Sequence, residues 1–402
     1  MHIIFLGTSG IDNPSPRGRW LPVARELVRA GHAVDLALLH PTYDQLQPRH
    51  WVCDGVQIAH VGQMHVYGLA GHRYYFSPLK LILVALRGAL ALAHYALVRN
   101  PDAIHIAKPQ PINGLAGILA ARAARCSLYV DCDDYEAAAN RFSGAWQRQL
   151  VRWWEDRLPV MARAVSVNTR FLYERCLTLG IPSTRLFYIP NGVHAEHFQQ
   201  PPVAAVNTLR QRLALEDCPV VLYLGTMSNI AHSVGLLIEA FALVLRALPS
   251  ARLLMVGNGD DLPALQTQAC RLGIDFAIHW IGQVPADQTR LYLALADCSV
   301  DPVEDSPGAR GRSPLKIVES LAQGVPVVTG NVGDRAETLG DQAGVVVTPG
   351  DARALAEGIL RVLRDPQFRH SLALGARQRA TAFEWHTLAQ EWLSMYNLPV
   401  KH

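Results

Sequence analysis

Clustered cysteine is missing from this chain of 402 residues. Its seven cysteines (Cys53, Cys126, Cys132, Cys176, Cys218, Cys270 and Cys298) are scattered, odd in number and never spaced CxxC. Neither a zinc framework nor a disulfide scaffold fits that pattern; reduced, mostly buried thiols in a cytosolic protein do. Charge is sparse as well, at 18% of residues. The formal net of +3 is too small for a nucleic-acid footprint, but it leaves room for an anionic substrate or membrane surface. Lysine is rarer still. Of 37 basic residues only Lys80, Lys108, Lys316 and Lys401 are lysines, so each of these positions draws attention. Low-complexity tracts and short repeats are absent, which excludes disordered and collagen-like chains.

The first residues are not expected to be a targeting leader. MHIIFLGTSG has no basic n-region and no small-residue cleavage site, and its apolar run stops at Gly7 as a buried strand would. No long hydrophobic run goes uninterrupted. The most apolar, Leu79 to Val98, is broken by Lys80, Arg87 and His94 at seven-residue intervals. Burying Arg87 near a bilayer centre would cost about 2.5–3.5 kcal/mol. Basic residues seven apart fall on one stripe of an amphipathic helix, so a soluble helix packed on a sheet is the first reading and an in-plane membrane-facing helix the second. WQRQLVRWWEDRL, Trp146 to Leu158, interleaves Arg148, Arg152 and Arg157 with Trp146, Trp153 and Trp154. It suits a headgroup interface or a domain-packing helix equally. The expectation is a soluble, cytoplasmic chain with the option of peripheral contact with an anionic membrane on its inner face.

What is present is rhythm. At roughly 100–200 residues per domain the length predicts two or three domains, and β-rich runs alternate with helical patterns almost throughout. In the first half strands are expected at 2–6, 33–39, 103–107, 127–131, 164–168 and 186–190, with helices at 20–30, 79–99, 112–125, 145–160 and 169–179. These strands are continuous apolar runs, the mark of a parallel sheet covered on both faces. QQPPVAAVN, after Phe198, reads as a linker. The rhythm then restarts, with strands at 220–225, 251–257, 278–282, 298–302, 325–330 and 344–350 and helices at 233–247, 261–272, 286–296, 314–323 and 351–364. One or two helices follow Pro366. The fold class is therefore α/β, two doubly wound domains, with ligands expected at the carboxyl ends of the strands and the cleft between facing domains as the default site.

Two loops carry chemistry. After the first strand, GTSGIDNPSPRGRW offers Gly7, Gly10 and Gly18 for close backbone approach, and a helix starting near Arg19. G-x-G-x-x-G does not occur there and Asp35 lies too early in the second strand, so a dinucleotide-dependent oxidoreductase loses its support. The sharper segment is SPGARGRSPLKIVESLAQGVPVV, Ser306 to Val328. A glycine- and arginine-rich loop leads through Ser313, Pro314 and Leu315 into a helix carrying Lys316 and Glu319. Backbone N–H groups at the helix start, with Arg310, Arg312 and Lys316, make an anion site suited to a diphosphate. Glu319, one turn in, can accept hydrogen bonds from a ribose diol.

PLKIVESLAQGVPVVTGNVGDRAETLGDQAGVVVTPGDARALAEGI closely resembles the carboxy-terminal half of the glycosyltransferase family 4 (group 1) enzymes, retaining transferases of the GT-B fold. Further pieces agree in order: GHAVDLALL, PDAIHIAKPQPINGLAGILAARAARCSLYVDCDDYE, IPNGVHAEHF and LLIEAF. FEWHTLAQEW is similar to the FxW helix with which such enzymes cross back onto the amino-terminal domain. The resemblance implies an acceptor domain over 1–200 joined by a crossing helix at 385–402, and a donor domain over 207–384. It further implies transfer of a sugar from a UDP- or GDP-sugar to a saccharide, lipid-linked or small-molecule hydroxyl in cell-surface polysaccharide or glycolipid assembly, without metal or other cofactor.

The family's glutamate pair would fall on Gly311 and Glu319, so the first member is lost and the second is the ribose ligand. Its diphosphate-binding Arg and Lys fall near Thr226, after Gly225, and near His232, and neither matches; Arg310, Arg312 and Lys316 are the expected substitutes. The loops at Gly257–Asn258 and around Val284 would flank the nucleotide base. Asp131-Cys132-Asp133-Asp134 looks like the metal-binding DxD of another transferase fold, but the surrounding resemblance makes it an acceptor-facing loop. Asp133 or Asp134 would take the acceptor proton or bind sugar hydroxyls, with His105 and Lys108 at the same edge. Two other functions stay open: a sugar-nucleotide epimerase, and a non-catalytic nucleotide-sugar-binding protein.

Overall fold

The computed structural model describes residues 1–68, 74–142 and 144–397. It divides into two compact units, Met1–Gly192 with Gly311–Ser313 and Trp385–His402, and Val193–Arg310 with Pro314–Glu384. The first boundary falls at Gly192/Val193, ahead of the expected linker. That linker is a correction: Pro202 precedes a helix, Val203–Arg212, because a proline there fits just outside the first turn. Residues 398–402 of the expected crossing segment, Lys401 among them, lie outside the described residues.

The first unit contains β1 (His2–Gly7), β2 (Ala33–His40), β3 (His50–Cys53), β4 (Val56–Gln63), a two-stranded ribbon of β5 (Val66–Tyr67) and β6 (Tyr74–Tyr75), then β7 (Ala103–Ala107), β8 (Ser127–Cys132), β9 (Ala164–Val167) and β10 (Leu186–Tyr188). The main sheet runs β10-β9-β8-β7-β1-β2-β4-β3 and is parallel except for the β3–β4 pair. Alternate residues of β1 feed two cores. Ile3 and Phe5 pack with the helix Leu21–Arg29 and with Trp392 and Met395 of the helix Trp385–Tyr396, while Ile4 and Leu6 pack under helices Pro78–Val98 and Pro111–Ala124. Each such side chain contributes about 1.5–3 kcal/mol by leaving water.

The β3–β4 hairpin is not among the expected strands, because WVCDGVQIAHV mixes polar residues and histidines into them. Its Asp54-Gly55 turn was the available signal: both residues have positive φ, 50° and 83°, as a tight hairpin turn requires.

The second unit contains β11 (Val220–Leu224), β12 (Arg252–Val256), β13 (Ile278–Gly282), β14 (Cys298–Asp301), β15 (Val327–Gly330) and β16 (Gly344–Val347). Its sheet is parallel throughout, in the order β13-β12-β11-β14-β15-β16. The chain winds outward from β11 to β13, then returns to β11's other side with β14. That reversal opens a crevice at the carboxyl ends of β11 and β14.

Candidate functional site

In the second unit the crevice at β11 and β14 is built from close backbone packing and one buried cation. Gly225 and Gly257, which follow β11 and β12, have φ of 146° and 137°. A Cβ on Gly257 would stand 1.9 Å from the Gly225 carbonyl oxygen, and one on Gly259 would stand 2.4 Å from that of Met227. Glycine is therefore required at 257. Hydrogen bonds from Gly225 N to Val256 O, Gly257 N to Gly282 O and Met227 N to Asn258 O lock the loops together. Asn258 also accepts from Gly259 N through Oδ1, Thr226 O accepts from the Tyr223 hydroxyl, and Val284 packs against the core beneath β12.

Lys316 lies in the first turn of the helix Leu315–Gln323, which follows Pro314. Its ammonium is 3.3 Å from Asp301 Oδ1, 4.3 Å from the Tyr223 ring centre and 3.3 Å from where a Gly225 side chain would begin. This lysine thus fills the floor of the crevice. Asp301, ending β14, also accepts from Arg335 Nε at 2.7 Å and from the Thr329 hydroxyl. Burial alone would push the Asp301 carboxyl up, but Arg335 and Lys316 hold it well below the usual carboxylate range. Arg335 also donates to Ala309 O and Val332 O, tying down the loop that leads to Lys316. Glu319 stands one turn beyond Lys316, partly exposed, with His197 Nε2 at 3.9 Å.

The three expected cations take different partners. Arg310 is half exposed in a bidentate pair with Asp305, at 2.6 Å on each arm. Arg312 and Ser313 group with the first unit, where Ser313 Oγ accepts from Asn191 N and the Arg312 guanidinium is 3.9 Å from Asp134. Lys316 remains, paired with Asp301, a carboxylate it shares with Arg335; neither of these two residues is among the expected site residues. An acid ending a buried strand was the one hint of Asp301.

In the first unit the carboxyl ends of β7 and β8 bring four acids to two cations. Arg19 is fully buried. Its Nε and Nη2 donate to the two Asp131 oxygens at 2.8 and 2.7 Å, and Ser166 adds a third bond to Asp131. The α-helix starts at Leu21, as expected near Arg19, but a helical turn over Pro16–Trp20 precedes it, and Arg19 is a core clamp. Lys108, in the left-handed region at φ 69°, places Nζ 2.6 Å from Asp134, 2.7 Å from Glu136 and 3.8 Å from Asp133. One ammonium cannot balance three carboxylates, so the deepest takes the proton. Burial, with Asp134 and Asp131 adding to it, pushes Asp133 up to about 7 against the pull of Lys108 and Arg19. Asp133 is thereby poised to hold or pass a proton near neutrality. Gln110 donates to Glu136 and accepts from Thr8, which joins the β1 loop to the cluster. Gly10, in that loop, packs on His40.

His105 is a correction. It lies in the core with no exposed surface, stacked on Phe5 at 4.6 Å, tilted against Trp392 at 4.9 Å and bonded through Nδ1 to the Tyr396 hydroxyl. Burial drives it down to about 3, so it stays neutral and cannot serve as an acceptor-facing base.

Glu155 supports this loop from below, accepting from the backbone N–H groups of Glu136 and Ala137 at 2.6 and 3.1 Å. Burial, then Glu136, raises its carboxyl from 4.5 to about 8. A folded-state proton held that tightly stabilises the fold at low pH, and the contribution fades as pH rises through 8. His60 and His105, buried and neutral, act in the opposite sense below about pH 6.5, so the informative window is pH 6.5–8. Across it the Glu155 contribution should fall by about 2 kcal/mol. Urea titrations should show Glu155→Gln closing that much of its gap to wild type between the two ends. A gap that stays constant contradicts the assignment.

Residues 218–365 match the family described as glycosyl transferases group 1, and residues 17–192 match the glycosyl transferase 4-like domain. The chain is 32% identical over 267 residues to the GDP-mannose-dependent alpha-(1-6)-phosphatidylinositol monomannoside mannosyltransferase of Mycolicibacterium smegmatis, covering 62% of this chain and 68% of that one. Against the protein of the same description in Mycobacterium tuberculosis it is 30% identical over 52% of this chain and 54% of the relative, so it spans about half of that length. Among solved structures it resembles sucrose-phosphate synthase of Thermosynechococcus elongatus, at TM-score 0.75 and 20% identity over 98% of both chains. It also resembles Anabaena HepE in complex with UDP and glucose, at 0.75 and 21% over 99% of both. At these identities the structural likeness speaks for the fold alone.

Proposed function

Because the chain belongs to the group 1 glycosyltransferases, we propose that it transfers mannose from GDP-mannose to a hydroxyl of a lipid-linked acceptor, with retention at the anomeric carbon. The observation that carries the reading is the buried Lys316 ammonium beside Gly225 at the topological switch point of the second sheet. The choice of GDP-mannose and of a glycolipid rests on the relatives, whose descriptions specify both.

In this reading the donor diphosphate lies over the tight Gly225–Gly257 loops, where glycines let phosphate oxygens approach the backbone and Lys316 offsets the charge that builds on the leaving group. Glu319 receives the ribose hydroxyls, and Asn258 and Val284 border the base. The acceptor hydroxyl is held by Asp133, Asp134 and Lys108. Its proton passes to the departing diphosphate, so no separate base is needed, and Asp133 orients the hydroxyl. We also propose that no divalent cation takes part. Both oxygens of Asp131, the first acid of the DxD-like run, are committed to Arg19 and Ser166.

The test is incubation of the purified protein with GDP-mannose or UDP-glucose, with and without a phosphatidylinositol mannoside acceptor and in the presence of a chelator. The expected outcome is acceptor-dependent GDP release and an α-linked mannolipid. Release from the uridine donor alone, an isomerised donor, or binding without turnover would each overturn the reading.

A further inference from the structure

Three helices lie side by side on one face of the first unit's sheet: Pro78–Val98, Pro111–Ala124 and Ala145–Met161. Their inner sides belong to the core. Ala89, Leu92 and Ala96 of the first pack with Ile4 and Leu39, and Leu158 of the third packs with Ile106 and Val130. Their outer sides are unusual for a surface in water. Leu79 is 84% exposed, Leu90 61% and Ile82 52%, and Leu83 and Leu86 are about as open; on the third helix Trp146 is 55% exposed and Trp153 52%.

The exposed charges on these helices have one sign. Lys80, Arg87, Arg122, Arg148, Arg152 and Arg157 are all exposed. The first two helices contain no acidic residue. On the third, Glu155 is buried beneath Ala137, and Asp156 is partly buried against Arg175. Among the described residues of the layer, then, the exposed face is dominated by apolar side chains and cations, with no exposed acid.

We propose that this face docks on an anionic lipid bilayer. A contiguous apolar patch of this extent marks an interaction surface. The first helix, at 21 residues with mean hydropathy 2.0 over its most apolar stretch, is long and apolar enough to cross a membrane. Its inner side is already built into the core, however, so it lies along the interface with leucines down. Each cation near an anionic surface adds about 1 kcal/mol, and indoles settle at headgroup depth. A second copy of the chain is the weaker occupant, since it would set this all-basic face against itself.

Placement adds a consequence. All three helices start at the carboxyl edge of the parallel sheet, the edge that carries Lys108, Asp133 and Asp134, and Leu79, Ile82, Leu83, Leu86, Trp146 and Trp153 all fall in their starting halves. A bilayer seated there presents hydroxyls of its own headgroups to the acceptor residues. This last link rests on the lipid-acceptor reading above; the docking surface does not.

The test is flotation of the full chain with phosphatidylcholine vesicles, with and without phosphatidylglycerol, at low and high salt. Binding is expected only with the anionic lipid, weakened by salt and reduced roughly tenfold or more in a Leu83→Glu/Leu86→Glu variant and in Trp153→Glu. These positions are exposed, so circular dichroism and release of GDP with a detergent-dispersed acceptor should match wild type. Three results would overturn the proposal: indifference of the wild-type chain to anionic vesicles, unchanged binding by the variants, or a dimer in solution that the same substitutions dissociate. Vesicle binding without lipid mannosylation would leave the docking face standing and remove the acceptor reading instead.

Discussion

Replacing Lys316 by methionine is expected to lower kcat/KM for sugar transfer by about a hundredfold or more, with little change in stability. The size follows from location. A buried cation on the floor of the crevice meets the charge of a leaving diphosphate in a medium where water screens it poorly. Loss of one preorganised group of this kind typically removes 10²–10³ in rate, roughly 3–4 kcal/mol.

The fold should survive because the other half of the local charge balance stays in place. Asp301 keeps the Arg335 guanidinium at 2.7 Å and the Thr329 hydroxyl at 3.2 Å, and methionine fills the same volume against Tyr223. A kcat/KM loss expressed mainly in kcat places Lys316 on the transition state, and one confined to KM places it on the ground-state diphosphate. Lys316→Arg should not restore activity, since Lys316 Cε is already 3.2 Å from where a Gly225 Cβ would lie and a guanidinium needs more room. Wild-type kinetics in the methionine variant would take the lysine out of the site.

Much of this architecture could be read in the sequence for a simple reason. Strands buried on both faces must be largely apolar, and AIHIA, LLMV and VVTG announce themselves as such. Helix ends were legible where Gly324 or Gly273 adopts a left-handed cap, with φ of 73° and 68°. Position of charge was not legible. Arg310, Arg312 and Lys316 are equivalent on a one-dimensional list of cations, and only the fold sends one to the surface with Asp305, one to Asp134 and one to the crevice. His105 failed for the related reason that a histidine in a buried strand looks the same whether it faces a ligand or Phe5. Asp131 and Asp133 are two residues apart and so share a side of β8's end, yet one is neutralised by Arg19 while the other is pushed toward a proton. That difference comes from a residue 112 positions away from Asp131.

Arg19→Met is expected to destabilise the first unit by about 3–5 kcal/mol, the largest stability effect anticipated for any single substitution here. The side chain is fully buried, and it joins four parts of the chain that are remote in sequence. Besides the two bonds to Asp131 at the end of β8, Nη1 donates to Ile189 O at 2.9 Å and to Asn191 Oδ1 at 3.1 Å beyond β10. The guanidinium also lies 5.5 Å from the Trp392 ring centre in the last helix. Methionine preserves the bulk but leaves Asp131 charged in the core with the Ser166 hydroxyl as its hydrogen-bond donor, and deprives Ile189 O and Asn191 Oδ1 of the Arg19 donor. The deficit arises from that stranded charge rather than from loss of the pair's own attraction, because desolvation offsets most of what a buried ion pair gains. A double variant, Arg19→Met with Asp131→Leu, should therefore recover most of the lost stability, although each change alone is severe. Urea titrations of the two singles and the double measure the coupling directly. Additive losses in the double would mean that Arg19 stabilises the unit through its carbonyl and indole contacts, and that the Asp131 clamp matters little.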